Sequence, residues 1–145
     1  MDEKTRNRLI QLAEKEIPIH KFLGLKVEAL RQDYIQISVP FKPEVVGDVR
    51  KNRWHGGLIA TIMDTVGGAI GVAHFRSDED QLATIDLRVD YLHGAKAETL
   101  YFEGRLVRLG NRILVTKMKA YQGEVLVAEG KGVYNLTRAE STSRA

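Results

Sequence analysis

The chain predicts an α+β domain in which a curved antiparallel sheet wraps around one long central helix. Three observations carry this. Trp54 to Ala73 is the longest apolar run and is apolar nearly all the way round, so a helix there must be covered on every side. The segments before and after it alternate with period two, as half-buried strands do. With 145 residues, 43% of them hydrophobic, the chain suffices for a single domain, 1–145, with its own core.

Residues 3–16 read as a short surface helix, with Leu9, Ile10 and Leu12 apolar and Glu3, Lys4, Arg6, Arg8, Glu14 and Lys15 solvated. Ile17-Pro18 ends it, because the residue before a proline is pushed out of the helical region. His20 to Gly24 reads as a loop, where a lone histidine is ordinarily incidental rather than catalytic. A hairpin follows. Leu25, Val27 and Ala29 alternate with Lys26 and Glu28. Past a turn at Arg31-Gln32-Asp33, Ile35, Ile37 and Val39 alternate with Tyr34, Gln36 and Ser38. Pro40 and Pro43 close the hairpin, and residues 44–53 lead to the central helix. Asp48 and Asn52 in that approach are either ligands of a site or ordinary turn residues.

The central helix begins His55-Gly56-Gly57. Two residues without side chains stand where the first free backbone N–H groups lie. Those donors and the positive end of the helix dipole suit a carbonyl oxygen or an oxyanion. Thr61, Asp64 and Gly68 follow at three- and four-residue spacing, one narrow stripe on a greasy cylinder. A carboxylate in such a place has either a purpose or a partner such as Thr61 or a backbone group. Gly67, Gly68 and Gly71 each cost about 1 kcal/mol relative to alanine inside a helix. Either the helix stops near Gly67, or its face must be smooth against a sheet or a second copy.

After a polar loop from His74 to Asp80, Gln81 to Leu92 is the clearest strand. Ala83, Ile85, Leu87, Val89 and Tyr91 share one face, and Thr84, Asp86, Arg88 and Asp90 form an ion-paired patch on the other. Ala97 to Leu109 is a strand with a bulge at Gly104. Gly110-Asn111 turns into Arg112 to Tyr121, and Gln122-Gly123 turns into Val125 to Leu136. Gly130 and Gly132 mark a bulge or a close backbone approach. The tail from Thr137 to Ala145 is polar and expected to fray. A single helix covers only one face of such a sheet, and dimerisation is the simplest cover for the rest.

Composition narrows the function. The formal charge of +3 comes from scattered Lys and Arg, which argues against a nucleic-acid-binding tail and favours a small anionic ligand. There is no cysteine, hence no disulfide framework, thiolate nucleophile or cysteine metal site. The N-terminus is charged from its second residue, and the central run contains Asp64 and glycines. A cytoplasmic protein without a membrane span is the expectation.

Four stretches together resemble the hotdog-fold thioesterases of the phenylacetate-degradation type: Pro18 to Leu25, His55-Gly56-Gly57, Met63-Asp64-Thr65, and Ala83 to Leu92. The resemblance runs from about residue 18 to residue 136. It implies the hotdog fold and a homodimer joined edge to edge, often paired into a tetramer, with active sites shared between subunits. It also implies an acyl-CoA substrate and no cofactor other than the CoA of that substrate. Carried over residue by residue, Asp64 falls at the catalytic carboxylate, and the Gly56 N–H with that of Gly57 at the thioester carbonyl. His55 is the motif histidine that positions or contacts the thioester. Thr84 falls near the attacking water, contributed by the partner subunit. Many members carry Asn or Gln six residues before the histidine. Here that position is Val49, with Asp48 and Asn52 as the nearby substitutes.

The chemistry so implied is thioester hydrolysis, with Asp64 as general base on water or as nucleophile. Ile59, Ile62 and Met63 would line the acyl group. Arg88, Arg105, Arg108, Arg112 and Lys131 are the cations available to the CoA phosphates. Two other readings stand beside it: an acyl-CoA-binding or sensing module with a structural Asp64, and a hotdog hydratase or dehydratase.

Overall fold

The structure, a computed structural model, describes residues 1–139. Helix α1 (Glu3–Gln11) starts where the Asp2 side chain accepts the Thr5 N–H, and a π-helical turn over Leu12–Glu16 continues it. The surface helix expected over residues 3–16 is therefore present, widened in its last part. His20 to Leu23 is not a loop: it lies in a second short helix, α2 (Pro18–Leu23). Proline is favoured at a helix start, and Gly24 ends this one in the left-handed conformation at φ 73°. Six residues are too few for periodicity to reveal.

Strands β1 (Lys26–Arg31) and β2 (Tyr34–Val39) form the expected hairpin. The approach segment holds a small ribbon, β3 (Val46–Asp48) with β4 (Arg53–Trp54), rather than a plain loop. Helix α3 (Gly56–Val72) follows, and then β5 (Gln81–Tyr91), β6 (Leu100–Leu109), β7 (Ile113–Gln122) and β8 (Val125–Thr137). The six long strands make one antiparallel sheet in the order β1-β2-β6-β7-β8-β5, which leaves β5 as an edge. The hairpin turns fall one residue later than expected, at Asn111-Arg112 and at Gly123-Glu124, where Gly123 takes φ 57°. Of the expected frayed tail, Thr137 ends β8, and residues 140–145 lie outside the described residues.

Ile59, Ile62, Met63, Val66 and Ile70 recur on one face of α3 and are buried against Phe102, Met118, Ala120 and Val127 of the sheet. Cutting an isoleucine to alanine in such a core costs about 2–5 kcal/mol. The helix runs through all three interior glycines, so the smooth-face reading holds, with the sheet as the surface approached. A Cβ on Gly71 would lie 2.7 Å from carbons of Leu114 and Leu82, and one on Gly67 would overlap the Tyr134 hydroxyl. Gly104 is likewise a close approach and not a bulge, since a Cβ there would meet Val66 at 2.6 Å. The β6 bulge lies at Val107, between Leu106 and Arg108. Gly130 and Gly132 also serve close approach, to the Arg88 carbonyl and the Tyr134 ring.

A second bulge changes the reading of β5. Thr84 pairs with Tyr134 and Asp86 with Val133, so Ile85 is the extra residue. It switches the faces. Thr84 points to the helix together with Leu87 and Val89, whereas Ile85 is 56% exposed. The expected single-face alternation from Ala83 to Tyr91 is broken at that point.

Candidate active site

The tip of α3 is held from three sides. The His55 N–H donates to the Val45 carbonyl, the Trp54 indole donates to the Glu98 carbonyl, and the Tyr91 hydroxyl donates to the Gly56 carbonyl at 2.6 Å. Burial pushes the Tyr91 phenol up from its ordinary pKa, so it stays a donor. His55 caps the helix itself: its Nδ1 accepts the Gly57 N–H at 2.9 Å. That contact puts the imidazole proton on Nε2 and takes Gly57 out of the donor set. The Gly56 N–H, first of the helix, has no acceptor among the described residues. The expected oxyanion pair therefore reduces to one open donor, with His55 in a positioning role.

Asp64 lies two turns further on. Thr84 Oγ1 donates to its Oδ1 at 3.0 Å, and the Tyr134 hydroxyl reaches the same oxygen at 3.2 Å. Oδ2 has no donor among the described residues. One carboxylate oxygen is anchored and the other is open. Thr84 belongs to the same chain as the carboxylate it serves, which corrects its expected place on the partner subunit; the Ile85 bulge is what turns it inward. Thr61 is not the partner of Asp64, because its hydroxyl donates to the Gly57 carbonyl within the helix. Burial, reinforced by the Asp64 charge, pushes the Tyr134 phenol well above its ordinary pKa, so Tyr134 also remains a donor.

Beside this cluster lies a cavity of about 580 Å³. Its walls are Leu9, Leu12 and Ala13 of the N-terminal helix, Leu25, Val27, Leu30, Ile35 and Ile37 of the first hairpin, and Asp64, Thr65, Gly68, Ala69 and Val72 of α3. Phe75, Asp80 and Gln81 also line it, and Leu82, Thr84 and Tyr134 line it from the sheet side. His20 is in the wall as a latch. Its Nδ1 lies 2.9 Å from the Ala13 carbonyl and its Nε2 3.0 Å from Thr65 Oγ1, and burial lowers its pKa against the pull of the Ala13 carbonyl. Asp80 is held by the N–H groups of Arg76, Ser77 and Ala139 and by Arg138, which bring its carboxyl down to about 2.

Several expected ligands fall elsewhere. Ile59 and Met63 are closed off in the core, as is Ile62, and none of them lines the cavity. The cavity-facing side of α3 is the opposite one. Asp48 accepts the Arg50 and Lys51 N–H groups and Asn52 takes φ 55°, so both serve the β3–β4 turn, and Val49 is 84% exposed. Arg112 stands exposed in the β6–β7 turn. Arg88 pairs with Asp90 at 3.3 Å, yet it also stands in register with Lys131, Lys117 and Arg105, one row of cations across four strands of the outer face. Tyr91 and Tyr134 were not singled out by sequence reasoning. For Tyr134, which is 1% exposed, the available signal is that a buried tyrosine hydroxyl requires a partner; Tyr91 is half exposed and carries no such signal.

One helix wrapped by an antiparallel sheet, with a backbone donor at its tip and a fixed carboxylate two turns on, defines a hotdog-fold enzyme. The profile of the thioesterase superfamily matches residues 51–129. The medium/long-chain acyl-CoA thioesterase YigI of Escherichia coli K12 is 30% identical over 131 residues, covering 81% of this chain and 84% of its own. A crystal structure from Shewanella oneidensis, described as related to the thioesterase superfamily, superposes with a TM-score of 0.81 at 28% identity, over 93% of this chain and 99% of that one. A thioesterase family protein from Silicibacter pomeroyi shares the fold, with a TM-score of 0.82 at 18% identity over 92% and 98% of the two chains. The chain belongs to the thioesterase superfamily and is a hydrolase. No helix among the described residues is long and apolar enough to cross a membrane.

Proposed function

We propose that the protein hydrolyses acyl-CoA thioesters, with Asp64 as general base. The observation that carries this is the asymmetric carboxylate, with Oδ1 tied to Thr84 and Tyr134 and Oδ2 open beside a largely aliphatic cavity. The two donors fix the carboxylate on one oxygen and leave the other available to a water. Oδ2 takes a proton from water as the water oxygen adds to the thioester carbonyl. The tetrahedral intermediate collapses with loss of the CoA thiolate, which receives that proton, giving a free acid and CoA thiol.

The oxyanion needs a donor within about 3 Å. On one helix, Gly56 and Asp64 are eight residues apart, about 12 Å at 1.5 Å per residue. One reacting carbonyl does not touch both. The reading therefore pairs Asp64 of one copy with the Gly56 N–H of another. The free edge of β5 is the natural seam for such a dimer, since an unpaired strand edge offers a row of backbone donors and acceptors. The row from Arg105 to Arg88 offers four in-register cations to the CoA phosphates. The acyl-CoA substrate named for YigI supports the class.

The test is CoA release from a panel of acyl-CoA esters. Asp64→Asn keeps size and hydrogen-bond acceptance and is expected to lower kcat by about 10²–10⁴-fold in a chain that melts normally. Unchanged turnover in that variant removes Asp64 from the chemistry. Absence of turnover in the parent, with acyl-CoA still raising Tm, favours a binding module.

A further inference from the structure

We infer that Gly68 is the gauge of acyl length, holding open a lumen that takes an unbranched aliphatic chain of about ten carbons. The inference rests on the thioesterase reading only for the position of the carbonyl. The starting point is a contrast among the glycines of α3. A Cβ on Gly67 or Gly71 would collide with its neighbours, so packing demands glycine at both. A Cβ on Gly68 would meet Tyr134 and Leu82 at 3.5 and 3.6 Å, which is ordinary contact. Packing makes no demand there, and helix propensity disfavours glycine. What a side chain at residue 68 would do is enter the cavity, whose wall Gly68 forms one turn beyond Asp64.

The length follows from the helix. The cavity is lined by α3 from Asp64 to Val72, eight residues or about 12 Å, and then by Phe75 just past the end of the helix. An extended chain advances about 1.2 Å per bond, taking three bonds to each extended residue, so about ten carbons fill that distance. The chemistry of the walls follows from their hydrogen bonds. His20 is matched to Ala13 and Thr65, and Asp80 to its backbone donors and Arg138. No buried side-chain polar atom among the described residues lacks a partner. Beyond Asp64 the buried polar groups of these walls are already matched, and Gln81, exposed at the start of β5, is the lining side chain with no hydrogen-bond partner among the described residues.

Binding of alkyl-CoA thioethers by calorimetry reads the lumen without requiring turnover. In the parent protein, affinity is expected to rise about three- to fourfold per methylene up to about ten carbons and then level off. Gly68→Leu blocks the lumen about 6 Å beyond the carboxylate, so its affinities follow the parent to about five carbons and rise no further. Gly68→Ala is expected to keep the parent profile with a higher Tm. Phe75→Ala moves the plateau to longer chains, which keeps the test alive if the leucine variant does not fold. An unmoved length profile in Gly68→Leu, or equal weakening at every length, overturns the gauge. So does tighter binding of a phenylacetyl than of a decyl thioether. Length-dependent binding without hydrolysis of the matching esters sustains the gauge and sinks the hydrolase reading instead.

Discussion

The tip of α3 and its middle solve opposite problems. At the tip, the useful group is a backbone N–H, and nearby side chains serve to hold the backbone: His55 caps, and Tyr91 grips the Gly56 carbonyl. In the middle, the backbone is fully used by the helix, and the useful group is a side chain whose neighbours fix one oxygen and leave the other. The tip is partly exposed and lies outside the apolar cavity that the middle faces. Each end has what the other lacks. A single chain carries both parts too far apart to meet on one carbonyl, and the proposed reading has a second copy supply the complement.

The strongest way to break this comparison is to disable the ends separately. Gly56→Pro removes the N–H at a first helical position where proline is favoured, and His55 already has the extended backbone, φ −68° and ψ 125°, that precedes proline well. It is expected to lower kcat about 10²–10³-fold, the loss of one oxyanion donor. Mixing it after joint refolding with Asp64→Asn then separates the two arrangements. If sites span copies, half the dimers are hybrids with one intact site, and about a quarter of parental activity returns. No recovery confines the site to one chain.

Tyr134→Phe sharpens the middle of the comparison. It removes one donor from Oδ1 while Thr84 remains, and about a tenfold loss of kcat is expected, the scale of one hydrogen bond to a charged group. An equal loss of kcat in a Thr84→Val, Tyr134→Phe double variant would show that the two act as a single unit.

The smallest effect concerns the far end of the cavity, where Asp80 is structural. The Arg76 N–H and the other donors hold its carboxyl at about 2, below its ordinary 3.8. Its contribution to stability is present above pH 4 and lost as pH falls toward 2. Asp80→Asn should flatten the acid limb of Tm against pH between those values and leave kcat at neutral pH within about twofold. A parent-like acid limb in the variant assigns the loss to other carboxylates.

The strand pattern, the buried helix and the HGG-to-Asp64 spacing were legible because each is a local statement about periodicity or spacing. The cavity was not. Ile59 and Met63 read as acyl contacts because they are apolar and near Asp64, and the same apolar character puts them in the core. Which face of an all-apolar helix meets the sheet depends on where the glycines let the sheet approach, and that is decided by Leu114, Leu82 and Tyr134 in distant strands. The partner of Asp64 is hidden from the sequence for a similar reason. Alternation from Ala83 to Tyr91 is unbroken in the sequence, and only pairing with β8 exposes the extra residue.

That extra residue gives β5 ten steps where β8 has nine, between the pairs Gln81–Thr137 and Tyr91–Ala128. The strand thus has slack at one point. Losing Ile85 would leave a regular strand, with Thr84 still beside Asp64 and Leu87 still in the core. Losing a residue between Asp86 and Val89 would turn one part of the strand over against the other. For gains and losses of whole residues, as opposed to substitutions, the bulge is the tolerant joint of the strand that bears Thr84.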